Sequence, residues 1–111
     1  MPTLMLDPGA LATRLTLEQA VDAPDGEGGA TRSWSVAASL WGKVELVSAI
    51  GRELAGQAGQ VVTHRIYLRA GRDIALGMRL VKLERMFEIK AMYDPDESGR
   101  YVVCLCEETV P

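Results

Sequence analysis

Hydrophobic and polar positions alternate one by one along most of this chain, and a period of two marks strands that bury a single face. The clearest run is Val61-Val62-Thr63-His64-Arg65-Ile66-Tyr67-Leu68-Arg69-Ala70-Gly71. Val62, His64, Ile66 and Leu68 share one parity there, while Thr63, Arg65, Tyr67 and Arg69 share the other. Upstream, Leu11, Thr13, Leu15 and Leu17 alternate with Ala12, Arg14, Thr16 and Glu18, a half-buried strand expected to end near Val21. From Trp34 onward Val36, Ala38, Leu40, Val44 and Leu46 hold one parity, which predicts a long strand bent at Gly42, since glycine inside a strand often marks a bulge or a barrel corner. Trp41 falls on the wet parity with Ser39, Lys43 and Glu45. The bend is expected to turn it inward, because a lone exposed tryptophan costs solubility. Residues 78–83 and 86–93 read as a hairpin around Glu84-Arg85, and residues 100–107 as a last strand buried on both faces.

Two segments break the alternation. Asp22-Ala23-Pro24-Asp25-Gly26-Glu27-Gly28-Gly29-Ala30-Thr31 is rich in glycine and acid and nearly free of apolar side chains, so it is expected to be a loop that is mobile in the free subunit. In residues 48–60, Ser48 can cap one or two helical turns in which Ile50, Leu54 and Ala58 recur four apart. Gly51, Gly56 and Gly59 weaken that helix, and a segment of marginal preference suits a change of conformation on meeting a neighbour. Asp7-Pro8-Gly9-Ala10 reads as a turn or brief helical start, and Asp94-Pro95-Asp96-Glu97 as a hairpin turn. Together these elements predict a mainly β fold. It is a small single-domain barrel spanning residues 1–111, with about five to six antiparallel strands, one short helix and long projecting loops.

A length of 111 residues allows one modest core and not two. The formal charge of −3 conceals an asymmetry. Residues 64–90 carry seven basic side chains (Arg65, Arg69, Arg72, Arg79, Lys82, Arg85, Lys90) against three acids (Asp73, Glu84, Glu88), a balance of +4 that leaves −7 elsewhere. Such a subunit can meet copies of itself head to flank, with charge fixing register more than affinity. Subunit or partner contacts are accordingly expected at Asp22, Asp25, Glu27 and Arg32 on the acidic segment and at Arg65, Arg69 and Arg72 on the basic one.

Candidate chemistry is sparse. His64 is the sole histidine and sits on the apolar parity with Thr63 and Arg65 pointing away, which describes a core or interface histidine rather than a catalytic base. Cys104 and Cys106 lie two apart on one side of a strand, where a disulfide would distort the backbone. Two cysteines and one histidine also fall short of a zinc site, so both are expected to be buried, reduced thiols. The Asp94 turn lacks calcium-loop spacing, and Gly26, Gly28 and Gly29 lead into no phosphate-binding helix. Neither enzyme activity nor any cofactor or metal is expected. No apolar run approaches the roughly 18 residues that span a bilayer, and Met1-Pro2-Thr3-Leu4-Met5-Leu6-Asp7 lacks the basic start of a signal peptide, so assembly in the cytoplasm is expected.

The blocks already described stand in a telling order. Leu40-Trp41-Gly42-Lys43-Val44-Glu45 and Gly51-Arg52-Glu53 precede the Val61 run, and Phe87-Glu88-Ile89, Tyr93-Asp94-Pro95-Asp96 and Cys104-Leu105-Cys106-Glu107-Glu108 follow it. In this order and spacing, from about residue 9 to 108, the chain resembles the head-tail joining, or head-closure (stopper), proteins of tailed bacteriophages and phage-like gene transfer agents. The resemblance implies a virion or particle component, a small β-barrel assembling as a ring of six copies. An adaptor on the portal would lie on one side and a tail terminator or tail tube protein on the other. Double-stranded DNA would pass through without sequence-specific binding. It further implies that the segment around Gly51-Arg52-Glu53 points into the channel and closes it, which makes Ser48, Gly51, Arg52, Glu53 and Gln57 the channel-loop candidates. An adaptor or tail-completion protein of the same connector is the neighbouring alternative. A small-barrel nucleic-acid module is the rival from another class: residues 64–90 supply charge and Tyr67 a stacking platform. Against it stand the acidic balance of the chain and the lack of an aromatic cluster beside the arginines.

Overall fold

The computed structural model describes residues 8–47, 53–54, 61–71 and 73–109. After one turn of 3-10 helix at Pro8–Ala10, the strands are β1 (Thr13–Pro24), β2 (Ala30–Leu46), β3 (Glu53–Leu54), β4 (Val61–Val62), β5 (His64–Arg69), β6 (Arg79–Lys82), β7 (Arg85–Tyr93) and β8 (Tyr101–Thr109). Six of them close a barrel in the order β1-β2-β5-β8-β7-β6, and β3 and β4 form a separate antiparallel pair. Every barrel pairing is antiparallel, and β1 pairs with both β2 and β6. Closure leaves the barrel wall without a free edge.

Alternation along each strand delivers one apolar set to the inside. Leu15, Leu17, Leu40, Ile66, Leu68, Met78, Leu80, Phe87, Ile89, Cys104 and Cys106 form one buried cluster. A fully buried Leu, Ile or Phe is worth roughly 1.5–3 kcal/mol in apolar area, which makes this cluster the main support of the barrel. Cys104 and Cys106 are both free thiols. Burial pushes the Cys104 thiol up to about 12 and raises Cys106 likewise, so both are poor nucleophiles. β8 is buried on both faces, as its apolar run predicts: Tyr101 and Val103 are buried on the parity opposite the cysteines, with Val103 between Tyr67 of β5 and Tyr93 of β7.

Several expectations are corrected. The segment 22–31 is not a loop: β1 and β2 stay paired to Pro24 opposite Ala30, and only residues 25–29 turn the chain. The irregularity of the long strand lies not at Gly42 but between Leu17 and Glu18, where Leu17 faces Ala38 and Glu18 faces Val36. Ala37 is thereby left unopposed, and the parity that would bury Val36 is lost, so Val36 stands 67% exposed. Gly42 continues the strand and is glycine for another reason. A Cβ there would come within 2.8 Å of a Leu68 methyl, 2.9 Å of a Leu15 methyl and 3.0 Å of the Tyr67 carbonyl oxygen. No register shift falls at Gly42, so Trp41 keeps its outward parity at 52% exposure, and the Arg14 guanidinium lies 5.0 Å from its ring centre. The β6–β7 turn centres on Leu83-Glu84, with Lys82 opposite Arg85. Of the expected helix, residues 48–52 and 55–60 lie outside the described residues, while Glu53–Leu54 are extended and pair with Val61–Val62.

Candidate functional site

The barrel carries its distinctive features at its two ends. Beyond Glu18, the last β1 residue that pairs with β6, β1 and β2 continue together as a two-stranded arm that helps stretch the molecule to 53 Å along its long axis. Strand directions put the 70–78 connection and the 94–100 turn at this same end. The Leu83-Glu84 turn, the end of β2 and the start of β5 lie at the opposite end.

Local chemistry explains why the arm forms. Asp25 accepts hydrogen bonds from the backbone N–H of Glu27 (2.7 Å) and Gly29 (3.1 Å), and Gly26 and Gly28 take the positive φ the turn requires. Directly opposite one another, Asp22 and Arg32 make a two-pronged pair, Nε–Oδ1 2.8 Å and Nη2–Oδ2 3.1 Å. This bond to Arg32 holds the Asp22 carboxyl below its ordinary range. At the base, Arg79 donates to Glu18 at 2.7 Å and lies over the Trp34 ring at 4.1 Å. One arm face bears Gln19, Val21, Ala23, Thr31, Ser33 and Ser35 and no charge, whereas the other bears Glu18, Trp34, Asp22 and Arg32.

At the other end a polar network surrounds His64, which is 5% exposed. Nδ1 lies 2.9 Å from Thr63 Oγ1, and Nε2 lies 3.4 Å from Arg85 Nη2. A guanidinium can only donate, so Nε2 accepts and the neutral ring donates from Nδ1 to Thr63. The Thr63 hydroxyl also receives the Glu108 N–H at 2.7 Å and lies 3.4 Å from the Cys106 carbonyl, to which it donates. Arg85 in turn clamps Glu108 at 2.7 and 3.1 Å, and this bond keeps the Glu108 carboxyl below its ordinary range. Burial, aided by Arg85, lowers the His64 pKa against the pull of Glu108. The expectation that Thr63 points away from His64 is thus corrected: Thr63 lies between β4 and β5, outside the strict alternation.

The predicted interface residues fall on two surfaces. Asp22, Asp25, Glu27 and Arg32 lie on the arm and its tip. Arg65 lies on the outer face of β5, where it donates to Glu45 at 2.6 Å, and Arg69 is exposed at the end of that strand. Arg72 lies outside the described residues, as do Ser48, Gly51, Arg52 and Gln57; Glu53 is described as backbone, opposite Val62. Sequence reasoning did not single out the Thr63–His64–Arg85–Glu108 network. Its members are 45 positions apart at the extreme, and only strand register brings them together.

Comparison with known proteins adds three findings. Residues 6–109 match the family described as phage head completion protein. A chain in the structure described as the virion of a native gene transfer agent particle is 31% identical, with a TM-score of 0.64 over 88% of this chain and 94% of that one. A Shigella flexneri 2a protein whose structure was solved in solution is 26% identical, with a TM-score of 0.66 over 93% and 96% of the two chains. No curated protein matches.

Proposed function

This chain belongs to the phage head completion protein family, and from that premise we propose that it forms the head-closure ring of a phage-like head-tail connector. The observation that carries the reading is a closed barrel with a paired arm at one end and the β2–β5 strand ends at the other. The channel-loop candidates lie in sequence between the end of β2 and the start of β5. A ring subunit that bridges an adaptor and a tail protein needs a contact at each end. In this reading the segment with Ser48, Gly51, Arg52, Glu53 and Gln57 reaches the DNA channel and closes it. Arg65, Arg69 and Arg72 face neighbouring subunits, and DNA passes without sequence-specific contact. The role is structural rather than catalytic. Six copies, an adaptor above and a tail terminator or tail tube protein below complete the assembly.

The nucleic-acid module is less well supported. A stacking platform needs open aromatic faces, but Trp41, Tyr67 and Trp34 each already have a cation, Arg14, Lys43 and Arg79, against the ring. Gating is tested by replacing Arg52 and Glu53 together with Ala and by deleting residues 56–59. Both variants are expected to melt like the wild type while filled heads lose DNA before tails attach. Leu15→Ala, which empties a fully buried position, is the folding control and is expected to cost about 2–5 kcal/mol. Normal DNA retention in tail-less particles of the loop variants removes this segment from the gate.

A further inference from the structure

The β1–β2 arm has two long flanks that nothing in the described structure pairs. On one side β6 reaches only Thr16, Leu17 and Glu18 of β1. On the other, β5 reaches only from Gly42 to Leu46 of β2. Among the described residues, 19–24 of β1 and 30–41 of β2 therefore have no strand on their outer sides. Free strand edges template further strands, and proteins usually blunt them with lysine, proline, bulges or short length. The stretch Ala30-Thr31-Arg32-Ser33-Trp34-Ser35 carries no lysine or proline and includes two strand-favouring residues, Thr31 and Trp34, and on the β1 edge the one proline, Pro24, stands at the last paired position. A ribbon of two strands is also only marginally stable in water. Here the barrel steadies its base through Arg79 on Glu18 and Trp34, and the charge of Glu88 on β7 acts on Arg32.

We infer that the arm is a strand-addition interface whose partner is a second copy of this chain: the free edge of β2 in one subunit receives the free edge of β1 from the next. The inference rests on the ring reading above and gives it a contact. One hairpin offers two unlike edges on opposite flanks, so head-to-tail repetition satisfies both with a single kind of contact, and such a heterologous contact closes into a ring where the rotation allows. A foreign strand satisfies only one flank. Because β1 and β2 run antiparallel, adding the next β1 beside β2 continues an antiparallel sheet. Register supplies the charge complementarity. Asp22 and Arg32 are directly opposite within a copy, so unshifted addition puts the next subunit's aspartate beside the same Arg32. A ladder of alternating carboxylate and guanidinium results, and a guanidinium has five N–H donors to share between two carboxylates. Side chains at 51% and 59% exposure leave room for the second partner.

The test exchanges the two charges. A chain carrying Asp22→Arg with Arg32→Asp keeps the pair inside each arm and, in a ring of its own kind, keeps the ladder between arms. Next to the wild-type chain, each contact sets like charge against like. Particles are assembled from equal amounts of isotope-labelled wild-type chain and unlabelled swapped chain, with a photo-reactive residue at position 33 in both. Cross-links between residues 30–36 and 18–24 are then read by mass, with labelled and unlabelled wild-type chains as the reference. Cross-links joining two copies are expected in the reference, and those joining wild-type to swapped chain are expected to fall about two- to fivefold, the scale of one exposed charge pair. Free mixing of the two chains, cross-links confined to single copies, or cross-links to another particle protein would overturn the inference while the connector reading stands. Absence of the chain from particles fells the connector reading and this contact together.

Discussion

At the scale of single residues, His64 shows how burial and hydrogen bonding set a protonation state. The ring is closed in by Phe87, whose centre lies 5.1 Å away edge to face, and both nitrogens are engaged in a pattern that only the neutral form satisfies. Its pKa lies below the ordinary value, so the unfolded chain takes up the proton first as pH falls. Stability is then lost as pH drops below about 6.5, the value for an unperturbed histidine. Arg85, Glu108 and Lys82 face or flank the ring from β7, β8 and β6. Of these, Glu108 has a lowered carboxyl whose contribution is lost only at more acidic pH. Thermal melting between pH 7.5 and 5 is expected to show a falling midpoint in the wild type and a flatter profile in His64→Gln. That variant starts about 1–2 kcal/mol less stable at pH 7 because a buried hydrogen-bond network is broken. Equal slopes in the two proteins would assign the acid sensitivity elsewhere.

At the scale of elements, the arm and the barrel wall differ in support. Barrel strands are paired on both sides and backed by the apolar cluster, whereas arm residues beyond Glu18 have one partner strand and no buried face. Local opening free energies follow such differences. Hydrogen exchange on the free subunit is expected to show amides of residues 19–24 and 30–35 exchanging well before those of β5 and β8, yet slower than an unstructured chain. Protection equal to that of β5 would mean that the arm is stabilised by contacts other than its own hairpin.

At the scale of the whole molecule, a barrel without a free wall edge gives neighbours little to pair with except its projections. Contacts made by exposed arms and loops are individually weak, and repetition around a ring multiplies them. The isolated subunit is therefore expected to be largely monomeric at low micromolar concentration by light scattering, and to form rings on heads that bear the adaptor. A stable closed ring without adaptor would show that the subunits template themselves.

What the sequence by itself determined was the class of fold and the faces of its strands. Leu15, Leu17, Ile66 and Leu68 alternate in the chain and alternate in the barrel, and two cysteines two apart both point inward, because the pleat of a strand is a local property. The family was legible for the same reason, as ordered blocks of such strands. Tertiary structure decided where alternation stops meaning burial. Val36 obeys the parity of Leu40 yet lies exposed, because one unopposed residue at Ala37 resets the register and the strand has by then left the barrel. It also decided that a stretch of glycine and acid is the tip of a paired hairpin, since Asp22 and Arg32 find each other only once β1 and β2 are aligned. His64 acquired Arg85 and Glu108 in the same way. Long-range register is set by the sum of contacts across all six strands, and no local window of sequence contains it.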